Sequence, residues 1–522
     1  MHARQCEADR TELVHLAVGL RQVDLALGIT LRRIVAVLLE HVARASGTAL
    51  RAEMRRNATV QFMLAQLKQL LQLRALAGGK QCIHAASLSR HAPARLDAAQ
   101  GGAAYNRQPM SATAPPSCDV LVVGAGPAGS ACAQQLARAG FKVLLVDQHE
   151  FPREKVCGDG LIPDAHTAFG RLGVHHEVMN AARRASYVGC IGPRGGRVDV
   201  PGRLAVLQRA ELDDILRRAA LRAGAHWLAP ARFEAPLMDV NERAVIGARL
   251  KLGNGQMHEV RATWVVLATG AVPQALIAAG LCERRTPSGV AMRGYVRNPA
   301  LAGRITALEV VWHKALSKGY GWIFPCPDGV FNIGVGLAHS HAKDDAGHDT
   351  MADVNLRQMF DAFCSVYAPA GQLVASGEKL GPLKGAPLRC SLEGARFSRP
   401  GLLVTGEAAG STYAFTGEGI GKAMETGILA AETIAEARDT FLTDAQARAT
   451  YEAHLMELKP RFDLYEKANR VNEYPWLADL VIARARKSPR ILKRMSAVLE
   501  EQGNPGNLVS VRGIIRLFVP IP

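Results

Sequence analysis

A short apolar run followed by a glycine-rich turn constrains this chain more than any other feature. Residues 120–123 read Val-Leu-Val-Val, which is typical of a buried strand, and the turn follows as Gly124-Ala-Gly126-Pro-Ala-Gly129. Ala, Cys and Leu at helical spacing then predict a helix over 128–139. In such a unit Gly124 permits the tight turn, Gly126 lets the backbone approach a pyrophosphate, and Gly129 lets the helix pack closely on the strand. The free N–H groups at the helix N-terminus then face the phosphates.

A second apolar run ends in an acid at the position that such a unit requires. Residues 142–146 predict a strand, and Asp147 follows 18 residues after Gly129, where a carboxylate binds a ribose hydroxyl. The glycine motif alone is weak, because glycine turns between strands and helices are common. Strand, helix, second strand and acid together predict a dinucleotide site. Its predicted contacts are Gly124, Ala125, Gly126, Pro127, Ala128, Gly129, Asp147 and Gln148.

Composition and charge narrow the classes of function and partner that fit this chain. The 522 residues carry a formal net charge of +16, but residues 1–109 hold 15 Lys and Arg against 7 Asp and Glu, and no basic module with interleaved aromatic residues is evident. Nucleic acid is therefore not a predicted partner. The 10 cysteines are scattered without a Cys-x-x-Cys pair, which predicts a reduced, cytoplasmic protein and no metal site. No apolar run reaches the roughly 18 residues of a membrane span, and the first residues do not read as a secretory signal.

Residues 1–109 do not read as part of an enzyme built on this unit. Apolar residues within 13–39 and 60–76 would allow helices, whereas 78–106 is rich in Ala, Gly, His and Arg without periodicity. A helical accessory segment, a disordered arm and an upstream extension that is not natively translated all fit this pattern. We favour the extension, because Met110 lies just before the first strand and nucleotide-binding domains of this type usually begin near the N-terminus.

The loop after the second strand combines charge, glycine and one cysteine. It places Arg153 and Lys155 where the phosphates of a cofactor would lie, and it sets Cys157 and Gly158 among basic residues and glycines. The thiol is either activated or merely well packed. Further along, Arg209 begins a predicted helix, from which it either reaches the cofactor or stays solvated.

The middle of the chain has a different pattern of predicted secondary structure. Residues 290–337 contain strands without crossover helices, including a hairpin predicted at Pro327-Asp-Gly. A mainly antiparallel sheet of this kind is a natural substrate platform. Tyr320, Trp322 and Phe324 share one face of a strand. We interpret that face as a wall against a ligand, and the alternative is a face of the core.

Further glycines at strand ends extend the predicted cofactor site. One buried strand ends in glycine, another ends in a Gly-Glu pair, and a Thr-Gly-Glu-Gly-Ile turn then begins a helix whose N-terminus is also aimed at the cofactor. Without the first glycine motif, a plain strand-loop-helix connection would be the better interpretation. The predicted contacts here are Gly270, Gly406, Glu407, Gly417, Gly419 and Ile420.

Taken together, these motifs resemble the geranylgeranyl reductase family, flavoproteins within the larger p-hydroxybenzoate-hydroxylase-like FAD group. The resemblance spans about 119–518. It rests on the glycine motif, on Lys-Val-Cys-Gly-Asp at 155–159, on Tyr-x-Trp-x-Phe-Pro at 320–325 and on the turn at 416–420. The chain departs from the family at Glu407, where the family usually has Asp, and this puts flavin affinity in doubt.

The resemblance implies an FAD-dependent oxidoreductase that reduces C=C bonds of an isoprenoid chain in a prenyl lipid or quinone. It implies bound FAD, with NAD(P)H as a transient electron donor, and Glu407 on the ribityl chain of the flavin. The implied catalytic residues are Cys157, Tyr320 and Trp322, and the implied substrate wall is Tyr320, Trp322 and Phe324. A flavin monooxygenase or halogenase, a quinone-linked dehydrogenase and a non-catalytic flavin-binding protein remain alternatives.

The predicted fold is α/β, with a Rossmann-like FAD-binding domain, an inserted and mainly antiparallel substrate domain, and a C-terminal helical segment. The predicted bounds are 1–109 for the extension, 110–288 and 396–440 for the FAD-binding domain, 289–395 for the substrate domain and 441–522 for the helical region. Within the helical region, an apolar helix start is followed by six cations interleaved with apolar residues. That pattern predicts either peripheral contact with the inner face of a membrane or a helical cap on the enzyme.

Overall fold

The computed structural model describes residues 117–505, except residues 317, 339–340, 344–348 and 352. The predicted N-terminal extension, with Met110, and the end of the predicted helical region therefore lie outside the described residues. Within the described part, no helix combines the length and the apolar character needed to span a bilayer.

The described strands form two large sheets and one small hairpin. They are β1 (Ser117–Val123), β2 (Val143–Val146), β3 (Gly160–Leu161), β4 (Arg183–Ile191), β5 (Arg197–Val206), β6 (His226–Leu228), β7 (Ala231–Met238), β8 (Val245–Leu252), β9 (Met257–Leu267), β10 (Gly289–Arg297), β11 (Leu308–Val311), β12 (Tyr320–Pro325), β13 (Val330–Ala338), β14 (His341–Lys343), β15 (Asp349–Met351), β16 (Glu378–Lys379), β17 (Lys384–Leu388), β18 (Ser398–Arg399) and β19 (Leu402–Val404).

The described α-helices cover the sheets and form the C-terminal region. They are α1 (Pro127–Arg138), α2 (Pro163–Leu172), α3 (His175–Ala181), α4 (Arg209–Arg222), α5 (Gln274–Ala278), α6 (Leu356–Val366), α7 (Ala368–Ser376), α8 (Ile420–Asp439), α9 (Asp444–Ala468), α10 (Arg470–Glu473), α11 (Trp476–Ala485) and α12 (Pro489–Leu499).

The first sheet is built on five parallel strands in the order β19-β9-β1-β2-β6, and β7 and β8 extend it beyond β9 by antiparallel pairing. The carboxyl ends of the central strands are in register, because Val123 pairs with Val146 and with Leu267, and Leu267 pairs with Val404. The turns that follow these strands therefore meet at one edge of the sheet, which is where ligands bind in open α/β sheets.

Strand β1 is apolar over residues 120–123 because both of its faces are covered there. Leu121 and Val123 contact the core cluster on the β7 and β8 side, whereas Val120 and Val122 contact the cluster that includes Cys132 of α1. A strand buried on both faces reads as a continuous apolar run, which explains the sequence signal. The predicted strand, glycine turn and helix are all present.

The second sheet runs in the order β16-β10-β13-β12-β11-β4-β5-β3, with β17 also paired to β10. Its pairs are antiparallel except for β4 with β11. The hairpin predicted at Pro327-Asp-Gly joins β12 to β13, and Asp328 adopts the left-handed conformation there, with φ 57°. Three strands of this sheet, β3, β4 and β5, come from residues 160–206, which precede the predicted substrate domain.

The C-terminal helices pack on the second sheet. Trp312, Val200 and Cys190 form one apolar cluster with Ile482 of α11 and Ile491 of α12. Pairing and packing thus confirm the predicted α/β class, with two mixed sheets and C-terminal helices. They also supply the walls of a cavity between sheet and helices.

Candidate functional site

One continuous cavity of about 1210 Å³ connects the edge of the first sheet to the face of the second. The glycine turn and the loops after β2, β9 and β19 line one end, which we call the nucleotide end. Strands β4, β11 and β12 and helices α11 and α12 line the other, which we call the aromatic end. Three predicted contacts do not line the cavity: Ala125, Gly129 and Gly406. All the other predicted site residues do.

The glycines of the turn have different structural roles. Gly124 has φ +101°, and a Cβ there would overlap the carbonyl oxygen of Ala268. A Cβ on Gly129 would likewise overlap the carbonyl oxygen of Gly124. These two glycines therefore build the turn. Gly126 instead faces the cavity, where an added Cβ would lie 3.5 Å from Nη2 of Arg153 and 3.8 Å from Nη2 of Arg209.

Both guanidinium groups are held by one buried carboxylate. Arg209 donates from Nε and Nη2 to the two oxygens of Asp213, at 2.6 and 2.8 Å, and Nη1 of Arg153 lies 3.2 Å from Asp213. Asp213 is fully buried. Burial alone would lower the pKa of Arg209, but the neighbouring carboxylate of Asp213 raises it instead, so the cation is fixed. Arg209 is thus placed at the predicted cofactor site and is not solvated.

These groups fit the diphosphate of a dinucleotide. Gly126 is the N-cap of the 12-residue helix α1 and offers no side-chain cap to its free N–H groups. Two guanidinium groups face the same space, and the buried Nε of Arg153 makes no hydrogen bond, although it lies 3.4 Å from a carboxylate oxygen of Asp147. Converging donors beside Gly126, whose missing Cβ leaves this space open, form a site for an anion.

Asp147 is buried, and both oxygens of its carboxylate already accept hydrogen bonds from the protein backbone. One oxygen accepts the N–H of Ala125 at 2.9 Å and lies 3.4 Å from Nε of Arg153, while the other accepts the N–H of His149 at 3.0 Å. A carboxylate has about four acceptor positions, so it retains capacity for the predicted ribose hydroxyl.

The loops after β9 and β19 bring the next predicted residues together. Oε2 of Glu407 lies 3.8 Å from Nζ of Lys155, and an added Cβ on Gly270 would lie 4.0 Å from the same oxygen. Gly406, with φ +65°, packs behind this group against Ala128. The longer carboxylate therefore reaches into the cavity beside a cation, where a hydroxylated chain would find both a donor and an acceptor.

The turn before α8 is held by hydrogen bonds within its own segment, from the backbone and from Glu418. The Gly417 N–H donates to the carbonyl oxygen of Tyr413 at 2.9 Å, and Oε1 of Glu418 accepts the N–H of Gly421 at 2.9 Å. Burial raises the pKa of Glu418 to about 7, although the Gly421 N–H opposes the shift. The Gly417 amide is therefore engaged within the protein, and a flavin edge at this turn would have to be met by other donors.

A buried ion cluster lies just behind this turn. Nζ of Lys422 lies 2.6 Å from Glu425, 2.8 Å from Glu501 and 3.8 Å from Asp164. Burial alone would lower the pKa of Lys422, but these carboxylates raise it. Glu501, just beyond α12, also accepts from Tyr413 Oη and from Arg461 at 2.8 Å each. The end of the helical region is thereby tied to the start of α8.

The aromatic residues of β12 form a continuous row along the cavity. The ring centroids of Tyr320 and Trp322 lie 6.1 Å apart, and those of Trp322 and Phe324 lie 6.4 Å apart. Phe324 fits against the Cys157 loop because Gly158 and Gly160 have no Cβ; added atoms there would lie 3.3 and 3.1 Å from its ring. The row thus touches both the cavity and the loop.

Cys157 lies where the two ends of the cavity meet. Burial raises the pKa of its thiol, and the guanidinium of Arg209 opposes this shift. The thiol is therefore protonated at neutral pH, which favours the packed, proton-bearing interpretation over an activated thiolate.

Three residues of the site did not emerge from the sequence. Asp213 follows Arg209 by four residues on one helix, a spacing that could have identified the pair. Asp159 stood in the recognised motif but had no assigned role. Asn332 lies on β13, 175 residues from Cys157, to whose carbonyl oxygen it donates a hydrogen bond. Its only signal was one polar residue in an apolar strand.

A family model, curated proteins and solved structures resemble this chain. Residues 117–296 match the family model described as FAD binding domain. A menaquinone reductase of Mycobacterium tuberculosis is 34% identical over 340 residues, 62% of this chain and 78% of that protein. A digeranylgeranylglycerophospholipid reductase of Methanopyrus kandleri is 28% identical over 366 residues, 67% of this chain and 92% of that protein. A solved structure of a geranylgeranyl bacteriochlorophyll reductase-like protein from Thermoplasma acidophilum, 22% identical, has a TM-score of 0.58 over 77% of this chain and 96% of that chain, which shows a shared fold.

Proposed function

Because this chain belongs to the geranylgeranyl reductase family of FAD-dependent oxidoreductases, we propose that it reduces carbon–carbon double bonds in the isoprenoid chain of a lipid or quinone. The position of Cys157 carries the proposal. Its thiol lies between the guanidinium of Arg209 at the nucleotide end and the aromatic row at the other end of one cavity. A cofactor and an apolar chain that enter from opposite ends would meet at this thiol.

The residues of the nucleotide end would hold FAD. Arg153, Arg209 and the α1 N-terminus bind the diphosphate, Asp147 binds the ribose, and Glu407 with Lys155 binds the ribityl chain. When bound, FAD supplies the hydride chemistry, and in this proposal NAD(P)H is the transient reductant.

The chain's own residues supply orientation and the proton. The apolar side chains of the aromatic end hold the isoprenoid chain and exclude water, while Tyr320 and Trp322 fix its position beside the thiol. Cys157 gives its proton to the alkene carbon that does not receive hydride. The thiolate that remains is stabilised by the cation of Arg209 until a proton returns from solvent.

The test is mass spectrometry of prenyl substrates after a single anaerobic turnover. Enzyme reduced with dithionite is mixed with menaquinone or with a digeranylgeranyl lipid, and enzyme left oxidised is the control. We expect the reduced enzyme alone to add two hydrogens to the chain. Oxygen-dependent hydroxylation or halogenation would establish a different activity. Reoxidation by a quinone whose chain keeps its mass would also contradict the proposal.

We also propose that the enzyme contacts an anionic membrane surface through α11 and α12. Trp476 and Tyr474 are more than half exposed at the start of α11. The apolar side chains of α12 pack on the enzyme, as a cap requires. Its cations point outward, however, and Arg490, Lys493 and Arg494 are exposed. The contact therefore rests on charge and interfacial aromatic residues more than on an inserted apolar face.

Flotation with phosphatidylglycerol-containing vesicles tests this contact. Each cation near an anionic surface contributes about 1 kcal/mol, so Gln at the three α12 positions should weaken low-salt binding by about 100-fold. The matched control places Gln at three exposed cations of the first sheet, Arg243, Lys251 and Arg261. Equal loss in both variants, or no binding at low salt by the unaltered protein, would leave the helices as a cap only.

A further inference from the structure

Asn332 is a polar residue in the middle of an apolar strand. Its neighbours Phe331 and Ile333 belong to the core, and all three side chains are fully buried. Burial of an amide costs free energy unless its donors and acceptor are paired, so an apolar side chain would be the ordinary occupant of such a position.

Each polar atom of this amide has a partner. Nδ2 donates to the carbonyl oxygen of Cys157 at 2.7 Å and to Oδ2 of Asp159 at 2.8 Å, and Oδ1 accepts the indole N–H of Trp322 at 2.9 Å. The orientation of the amide is therefore unambiguous, because a flipped amide would break all three hydrogen bonds. One side chain thus joins the Cys157 loop to the aromatic row.

The loop that it holds needs such support. Asp159 has φ 64°, a left-handed conformation that non-glycine residues adopt only at a cost of about 1 kcal/mol or more. The Tyr295 hydroxyl donates to the same Asp159 oxygen at 2.6 Å. Two donors from the second sheet therefore fix the backbone beside Cys157 in a conformation that it would otherwise leave.

A second buried asparagine provides an internal comparison. Asn472 is fully buried, and its Oδ1 accepts the indole N–H of Trp312 at 2.7 Å. Its Nδ2 donates to Phe415 and to Asn469, not to the Cys157 loop. The two residues thus share burial and a tryptophan donor and differ in what else they hold.

We propose that Asn332 is a positioning residue for the reaction, which fixes the Cys157 loop against Trp322 so that the thiol is presented to the substrate in one place. The inference deepens the proposed function and rests on it, because a positioning role presumes the proposed reduction of an alkene. The clamp itself is independent of the substrate. Without it the loop would relax, the thiol would become more accessible, and proton delivery would lose its geometry.

The first measurement needs no substrate. Cys157 is alkylated with N-ethylmaleimide in the flavin-bound protein, and modification at that residue is followed by peptide mass spectrometry. We expect Asn332→Leu to speed this reaction by about tenfold or more, because local opening exposes the thiol, and Asn472→Leu to leave it within about twofold. An unchanged rate in Asn332→Leu would overturn the clamp, whether or not the enzyme reduces alkenes.

The second measurement tests coupling to turnover. Formation of menaquinone whose chain has gained two hydrogens is timed by mass spectrometry with dithionite-reduced Asn332→Leu, Cys157→Ser and the double variant. If Asn332 acts through the thiol, the double variant is no slower than Cys157→Ser alone, whereas independent effects would multiply. Multiplying effects would overturn the positioning role. Should Asn332→Leu fail to fold, Trp322→Phe, which removes the indole donor to Asn332, replaces it in the alkylation measurement, with Trp312→Phe as its control and the same outcomes decisive.

Discussion

The two ends of the cavity hold their polar groups in opposite ways. At the nucleotide end, charge is paired with charge, since Asp213 binds both Arg209 and Arg153, and Arg153 also reaches Asp147. At the aromatic end, indole and amide groups pair with one another, as Trp322 does with Asn332. Ion pairs leave a cation able to take a new anion without rebuilding the site. Neutral hydrogen-bonded pairs instead fix the positions of the side chains that line the cavity. The difference fits the proposed binding of a charged cofactor at one end and of an apolar chain at the other.

The largest effect should come from removal of one partner of the buried ion pair. Arg209→Leu leaves the fully buried Asp213 with Arg153 alone, so we expect the free energy of unfolding to fall by about 3 kcal/mol, together with loss of flavin. The control is Arg222, which lies on the same helix as Arg209 and makes an exposed ion pair with Glu177 of α3. Arg222→Leu should cost less than about 1 kcal/mol in urea unfolding. Equal costs would mean that the nucleotide end gains nothing from burial of its charges.

A substitution at Gly126 should separate binding from folding. Its missing Cβ faces the two guanidinium groups with no overlap, so Gly126→Val should fold and yet fill the diphosphate position. We expect a colourless protein whose FAD affinity is reduced by about 100-fold or more, with a circular dichroism spectrum unchanged. Gly126→Ala, which adds one carbon, should lose less. Full yellow occupancy of Gly126→Val would contradict the location of the diphosphate.

At the junction of the two ends, Cys157→Ser should leave binding and flavin reduction by the donor intact. A serine hydroxyl is a much weaker acid than a thiol, so reoxidation by the alkene should slow by about 100-fold, a magnitude typical of a lost general acid. Stopped-flow measurement of the two half-reactions separates these steps. Equal alkene rates in the two proteins would reassign Cys157 to packing.

Asp159 should show the smallest effect and the one most dependent on pH. Burial raises its pKa to about 6, although donors from Tyr295 and Asn332 oppose the shift. A raised pKa means that the folded state binds the extra proton between pH 3.8 and about 6, so this stability is present at low pH and is lost as pH rises. Relative to Asp159→Asn, the protein should lose about 2 kcal/mol between pH 4 and pH 7. A constant difference across urea unfolding at these pH values would show that the carboxylate is solvated.

The nucleotide end was predictable because its signals are local. Gly124, Gly129 and Asp147 belong to one strand-turn-helix-strand segment, and each has a structural reason that short-range sequence reveals. The aromatic row was also recognised, because alternation places Tyr320 and Trp322 on one face. The hydrogen bonds by which Asn332 joins this row to the Cys157 loop were not predicted.

The missed features depend on pairing between distant segments. Strand β4 begins with a polar half, Arg-Arg-Ala-Ser-Tyr, and has no regular alternation. It pairs in parallel with β11, more than 100 residues later, so nothing nearby assigned residues 183–206 to the second sheet. Asn332 and Asp159 meet in the same way. The cations of residues 484–494 were predicted to form one basic amphipathic surface, whereas the structure divides them between α11, the turn after it and α12. Only the packed structure shows that the apolar side of α12 is covered.

The tie between Glu501 and Lys422 bears on the order in which the chain is made. A ribosome releases the glycine turn long before it releases strand β19, which completes the parallel sheet, and Glu501, which is one of three carboxylates around the buried Lys422. Until then the emerging polypeptide lacks one strand of the sheet and one of the carboxylates that balance the lysine behind the second turn. Shortening the protein before Glu501 should therefore impair loading of FAD at a site more than 350 residues upstream.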